Sequence, residues 1–192
     1  MISVRHLLAA ALATTSLCLA QAADVAGISF DDRLSVGGEP LVLNGAGVRT
    51  KFFFKVYAMG LYLRTGDRSP AAAIAEDGVK RIRIVTLRDL TAEQFSDGLV
   101  DGIRKNHDDA AYAQLSGRVE AMRSVLLALG KAPEGTEVIL DLDPATGTRM
   151  AVDGRLRGDP ITGKDFQQAL LRVWLGADPA DAELKAALAP GR

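Results

Sequence analysis

The 192-residue chain reads as a single α+β domain, and three patterns predict it. The first is the apolar run 52–63, which at ~3.3 Å per residue would extend roughly 40 Å as a strand. Ordinary strands are about half that length, so a strand of this kind forms the floor of a large sheet. The second is a set of segments that open on capping residues and then place apolar side chains four apart, the signature of amphipathic helices. The third is a pair of short alternating segments, 136–142 and 148–152, separated by a loop with Pro144 and Gly147, which reads as a hairpin. No internal repeat, linker-like stretch or low-complexity segment divides the chain.

Taken in order, residues 1–22 read as an export signal. Arg5 and His6 make a short polar start, Leu7 to Leu19 is mostly apolar, and Ala20-Gln21-Ala22 fits a small-x-small cleavage site. Thr14, Thr15 and Ser16 interrupt a run already too short to span a bilayer, and Leu17 stands before Cys18 where lipoprotein processing would call for a small residue. The expectation is a periplasmic domain over 23–192 with no stable membrane insertion after cleavage. Residues 28–44 read as short strands with turns at Asp31-Asp32 and Gly37-Gly38. Gly45 to Gly47 reads as a glycine turn with Arg49 at its mouth, directly before strand 52–63. In that strand Phe52, Phe54, Val56, Ala58, Gly60 and Tyr62 share a face expected to be wholly buried. Lys51, Phe53, Lys55, Tyr57, Met59, Leu61 and Leu63 share the other, which grades from polar to apolar. Burial on both faces implies layers on both sides of the sheet.

Residues 69–76 form a short helix with Ser69 as N-cap and Pro70 at its first position. Residues 80–88 follow as a strand, Ile82, Ile84 and Thr86 opposing Arg83, Val85 and Leu87. Thr91 and Gln94 form a capping box that opens helix 91–106, with Phe95, Leu99 and Ile103 on one face and Asn106 at its end. Asp108 or Asp109 caps the next helix, which runs to about Leu129 and stops at Gly130. Thr162 with Asp165 starts a further capped helix with the stripe Phe166, Leu170, Val173 and Trp174, ended by Gly176. Asp178 to Asp181 opens a last short helix, with an acid at both ends of its first turn.

Composition excludes several chemistries. The net charge is −1 and no basic stripe stands out, so nucleic-acid binding is not expected. The one cysteine, Cys18, lies in the leader, and once the leader is removed His107 is the sole histidine. Zinc and iron sites, and Ser–His or Cys–His catalysis, therefore lack their residues. Neither a phosphate-cradling glycine loop nor a dinucleotide fingerprint is present. No metal and no cofactor is expected.

Arg49 is the leading candidate for a functional residue. Most arginines pair with a surface acid, but here Gly45 and Gly47 allow close backbone approach and the apolar run supplies a greasy surface. A guanidinium matches a carboxylate with a planar fork and stays charged when desolvated. Tyr57 either packs with one hydrogen bond or lines a pocket with Arg49. Lys55 reads as snorkelling to solvent. Gly98 and Gly102, four apart in helix 91–106, cost roughly 1 kcal/mol each relative to alanine; close packing on the sheet, or room for a ligand, would account for them. Trp174 reads as core.

The segments Gly45-Ala46-Gly47-Val48-Arg49, Lys55-Val56-Tyr57-Ala58-Met59-Gly60-Leu61-Tyr62-Leu63, Thr91-Ala92-Glu93-Gln94-Phe95-Ser96, Asp165-Phe166 and Trp174-Leu175-Gly176 together resemble, in order, the chalcone isomerase superfamily, in particular its secreted bacterial chalcone isomerase-like branch. The resemblance implies an open-faced β-sandwich: a large antiparallel sheet with helices packed on one face and a smaller β layer. It also implies a site. Chalcone cyclisation needs a positive group near the attacking oxyanion, with hydroxyl and amide donors around it. Arg49 matches the family's arginine. Tyr57 stands for a threonine, Phe95 for a tyrosine and Gly102 for an asparagine, while Val173 falls at about the place of a further hydroxyl residue. Only the arginine is retained. A greasier pocket with one cation suits an aliphatic carboxylate, and non-catalytic members of the superfamily bind fatty acids.

The function expected is thus a non-catalytic periplasmic protein holding a small hydrophobic or amphipathic carboxylate. Arg49 would be the anchor, Tyr57 a second polar contact, and Met59, Phe95, Leu99 and Gly102 the pocket around the chain. An isomerase of the intramolecular-lyase type with a remodelled site is the alternative, and a partner-binding role with a vestigial cavity a third. The leader carries its own test: the exported protein should begin at Ala23 by mass analysis, and a periplasmic chain still starting at Met1 would contradict it.

Overall fold

A computed structural model describes residues 22–66 and 68–191, so the export segment lies outside the described residues but for its last. In chain order the elements are β1 (Ala23–Val25), β2 (Ile28–Phe30), β3 (Arg33–Val36), β4 (Glu39–Lys51), β5 (Phe54–Leu63), α1 (Pro70–Ala75), β6 (Lys80–Thr86), β7 (Leu90–Thr91), α2 (Ala92–Lys105), α3 (Asp109–Leu127), β8 (Lys131–Ala132), β9 (Glu137–Asp143), β10 (Gly147–Val152), β11 (Arg155–Ile161), α4 (Lys164–Leu175) and α5 (Ala182–Leu188). Seven strands form one antiparallel sheet in the order β11-β10-β9-β6-β5-β4-β3. The helices cover one face. Tyr57, Met59, Leu61 and Leu63 of β5, Ile82 and Ile84 of β6 and Val138, Leu140 and Leu142 of β9 join the buried side chains of α2, α3 and α4 in the main core. The β1–β2 hairpin is the smaller layer on the other face, where Phe30 packs with Leu41, Ala58 and Tyr62. The fold implied by the resemblance is the fold observed.

The helix signals act as expected, with one exception. Ser69 and Asp108 cap α1 and α3, and Thr91 and Gln94 close a reciprocal capping box on α2. Thr162 does not cap α4. The helix starts after Gly163, an N-cap residue with no side chain to accept, and Asp165 instead accepts a bidentate pair from Arg118 of α3. An exposed strand also lies where no strand pattern is legible in the residues. β11 carries Arg155, Arg157, Gly158, Asp159 and Pro160 and forms the outer edge of the sheet; charge and proline there mask an edge that would otherwise recruit further strands.

Two expectations about the central strands are corrected. Gly45-Ala46-Gly47 is not a turn but the middle of β4, which pairs with β5 along its length. Its glycines receive α5: a Cβ on Gly45 would press on the Ala187 and Leu188 carbonyl oxygens, and one on Gly47 would lie 2.7 Å from the Ala187 Cβ. Nor is 52–63 one strand. Lys51 pairs with Phe54 across a two-residue turn at Phe52-Phe53, so the face expected to be wholly buried leaves Phe52 86 % and Phe54 48 % exposed. Alternation fails because the pairing register shifts twice. Asn44 is an extra residue in β4 and Val56 an extra residue in β5, and each bulge re-aims the side chains beyond it. Val56 thereby joins Tyr57 in the helix-side core.

Both glycine arguments can be measured. Gly45→Ala should lower the unfolding free energy by about 1–3 kcal/mol, the usual cost of overpacking. Gly117→Ala, in α3 with open space around its Cβ position, should raise it by up to about 1 kcal/mol. Denaturant titrations of the two variants check the pair, and equal effects would contradict the packing assigned to α5.

Candidate functional site

Arg49 is placed by its own strand and by α5. In β4 the residues Gly45, Gly47 and Arg49 face the helices, opposite Leu61, Met59 and Tyr57 of β5. The two glycines let α5 lie on the strand, and α5 is fastened at each end. Asn44 Nδ2 donates to the Leu188 carbonyl at 2.7 Å, while Asp181 accepts from Thr50 N at 2.8 Å. The same carboxylate caps α5 by accepting from Leu184 N at 3.0 Å. The acid at the start of that helix is thus bonded to backbone N–H groups. Among the described residues Arg49 takes part in no ion pair, and its buried Nε–H has no acceptor.

Behind Arg49 is a rigid aromatic support. The guanidinium carbon stands 5.4 Å from the centre of the Tyr57 ring, within cation–π range. Trp174 Nε1 donates to the Tyr57 hydroxyl at 2.7 Å, which gives both buried aromatics a polar partner. Burial pushes the Tyr57 hydroxyl above its ordinary value of 10.0, with the Arg49 charge and the Trp174 hydrogen bond pulling the other way. At neutral pH it is a phenol with its proton to donate.

Two cavities meet at Arg49. An inner chamber bounded by Arg49, Tyr57, Phe95, Gly98, Leu99, Val173, Trp174 and Ala180 holds only about 10 Å³, room for a single water. An outer groove of about 580 Å³ runs from Arg49, Phe95, Gly98 and Ala180 between α2 and the end of the β4–β5 hairpin, a volume typical of ligand sites. Its walls mix Phe52, Phe54, Val56 and Leu90 with Lys51, Arg88 and Lys105 on one side of the charge balance and Asp97, Asp101 and Asp178 on the other. Such a groove offers apolar surface beside charged groups of both signs.

The structure therefore brings Arg49, Tyr57, Phe95 and Leu99 around one chamber, and Gly102 joins Arg49 and Phe95 along the groove. Met59 lines neither cavity; at 1 % exposure it is core beneath them. Gly102 is explained by helix packing rather than contact with the sheet, since a Cβ there would lie 2.7 Å from Val173 Cγ1 on α4. Gly98 faces Arg49 instead, with a Cβ position 3.6 Å from its Nη1. Lys55 is exposed, as a snorkelling lysine would be. Sequence reasoning missed Trp174 and Asp181 as neighbours of Arg49, while for Gly98 room beside the helix was one of its two alternatives. For Trp174 a signal existed, because a buried indole N–H needs an acceptor and Tyr57 is a hydroxyl in reach of the same core. His107 bonds the Ile103 carbonyl through Nδ1 at 2.7 Å at the end of α2. Among the described residues no group of three His, Cys, Asp or Glu is arranged to hold a metal.

Comparison with known proteins bears on the family and the fold. The family described as chalcone isomerase-like matches residues 22–189. No curated protein matches the chain significantly. Among solved structures, the crystal structure of a fatty-acid binding protein of Arabidopsis thaliana superposes with a TM-score of 0.63 at 18 % identity, covering 85 % of this chain and 92 % of that one. At that identity the likeness concerns the fold.

The Tyr57–Trp174 bond has a measurable consequence. Tyr57→Phe leaves the indole N–H without its acceptor and should cost about 1–3 kcal/mol of stability. It should also change the alkaline limb. The folded state holds the phenol protonated above pH 10.0, where the unfolded chain releases it, so this contribution is complete below that pH and is lost as pH rises through the raised value. Stability should fall more gently with pH in Tyr57→Phe than in the parent. Some fall should remain from Tyr62, whose hydroxyl burial pushes up to about 12. Denaturant midpoints across the alkaline range check both claims.

Proposed function

The chain belongs to the chalcone isomerase-like family, and from that premise we propose that it is a non-catalytic binding protein for a long-chain carboxylate, acting in the periplasm after loss of its leader. The observation that carries the reading is the unpaired guanidinium of Arg49 at the inner end of an amphipathic groove. A buried N–H without an acceptor costs about 1–3 kcal/mol, and a ligand carboxylate meets that need directly. The head group would bind Arg49 at the level of Gly98, whose missing side chain keeps the approach open, and the aliphatic chain would run outward past Phe95 toward Phe54. Tyr57 and Trp174 hold the guanidinium from behind. The fatty-acid binding of the Arabidopsis protein that shares this fold supports the same reading.

The site is poorly equipped for cyclisation. Phe95, Gly102 and Val173 present no donor, and the chamber beside Tyr57 has no room for an aromatic ring. Removing one preorganised donor typically slows such chemistry by ~10²–10³. No loss of chalcone absorbance above the uncatalysed rate is therefore expected, and turnover within about tenfold of a plant chalcone isomerase would favour the isomerase alternative.

Binding is tested directly at Arg49. Arg49→Ala should weaken a long-chain carboxylate by about 1.5–3 kcal/mol in calorimetric titration. Arg49→Lys should recover only part of it, since an ammonium lacks the planar fork. Both variants should melt close to the parent, because no acid is left unpaired by the change. Unchanged affinity with a marked loss of stability would make Arg49 structural.

A further inference from the structure

We infer that the end of the β4–β5 hairpin is a membrane-docking element for anionic lipid surfaces. The hairpin turns on Lys51-Phe52-Phe53-Phe54-Lys55, three consecutive phenylalanines bracketed by lysines with no acid among them. Phe52 is 86 %, Phe53 83 % and Phe54 48 % exposed, and together with Leu156 they are the exposed large apolar side chains among the described residues. The Phe53 and Phe54 rings lie 4.6 Å apart, and Arg88 places its guanidinium 4.8 Å from the Phe54 ring. A third cation thus joins the two lysines around the aromatic tip.

The backbone at the tip is unfavourable for an aromatic residue. Phe52 has a φ of 58°, a region that two-residue hairpins normally fill with glycine or asparagine and that is strained for a bulky residue. Neither the core nor the groove accounts for Phe53, which packs on no buried side chain of either cluster. The tip thus carries strained and exposed aromatic surface that folding alone does not explain.

Charge and area identify the occupant. At ~200 Å² for each fully exposed aromatic side chain, the tip offers roughly 400 Å², about half of what each partner buries in a standard protein interface. A two-fold contact between copies through this tip would also set Lys51, Lys55 and Arg88 against their own counterparts. A bilayer rich in acidic headgroups reverses that repulsion into attraction. Phenylalanine rings enter the headgroup boundary while the lysines stay with the phosphates. Phe52 and Phe54 also line the mouth of the groove that leads to Arg49, so docking there would bring the groove to the source of an amphipathic ligand. The inference rests on the hairpin itself and stands whether or not the groove binds a carboxylate.

The test is flotation of the chain beginning at Ala23, which contains every described strand and helix, with two kinds of vesicle: phosphatidylethanolamine with phosphatidylglycerol in equal parts, and phosphatidylcholine alone. The parent protein should float with the acidic vesicles, bind phosphatidylcholine weakly, and lose the acidic binding as salt rises. The double variant Phe53→Ser with Lys55→Glu, at two residues outside the groove lining, should bind acidic vesicles at least ~10-fold more weakly. Its melting temperature and its carboxylate affinity from solution should match the parent. Phe53→Trp should shift its emission to shorter wavelength on acidic vesicles. No flotation with either vesicle, or equal flotation of the double variant, would overturn the proposal. So would a concentration-dependent dimer abolished by the double variant in a protein that ignores vesicles, which would assign the tip to contacts between copies. Vesicle binding in a protein that binds no carboxylate would refute the ligand reading alone.

Discussion

Arg49 is held over the Tyr57 ring by a strand that carries two glycines before it, and Asp181 at the start of α5 accepts from backbone N–H groups. Much of the architecture around the groove follows from that arrangement. Gly45 and Gly47 exist so that α5 can lie on β4, and α5 needs Asn44 and Asp181 at its two ends to stay there. Asp181 accepts from Thr50 and Leu184 and makes no ion pair with Arg49. On the far side, Trp174 fixes the Tyr57 hydroxyl and with it the ring beneath the cation. In the proposed reading this cation, supported by aromatic surface and without an ion-pair partner among the described residues, is the preorganised seat of a ligand anion.

The two register shifts in the β4–β5 hairpin connect this centre to the surface. The bulge at Asn44 turns an amide inward to reach α5, and the bulge at Val56 directs two consecutive side chains of β5 toward the helices. Beyond Val56 the hairpin leaves the cover of the helices and ends in exposed phenylalanines. One pair of strands therefore carries a half-buried cation two residues from its end and an apolar tip beyond it, with the groove running alongside. The groove takes its length from this pair and its other wall from α2, where Gly98 opens the side facing Arg49.

Much of this was legible in the residues. Caps, helix stripes and glycine stops marked the helices because each rests on local chemistry within four residues. The β9–β10 hairpin was legible for the same reason. Arg49 and Tyr57 stood out by their place on the strands and by the resembling segments, Phe95 by those segments, and Leu99 by its helix stripe; the structure brings the four around one chamber. What was not legible depended on contacts between distant elements. Gly45 and Gly47 look like a turn until α5 is placed against them, and Gly102 is explained only by Val173. Residues 52–63 look like one strand because a bulge carries no composition of its own and because phenylalanine is an improbable turn residue. β11 went unread since its arginines, glycine and proline are the chemistry of a loop as well as of a guarded edge. Met59 was assigned to the pocket by alternation from Tyr57, but the cavities end above it.

The central claim is that the unpaired guanidinium is the seat of an external anion at the inner end of the groove. A crystal structure of the protein with a saturated long-chain carboxylate tests it most directly. The account predicts a carboxylate oxygen about 2.7–2.9 Å from an Arg49 nitrogen, beside Gly98, with the chain leaving along Phe95 toward the hairpin tip. A chain seated elsewhere, or Arg49 turned to pair with Asp97 or Asp101 while the ligand's head group lies in solvent, would contradict it.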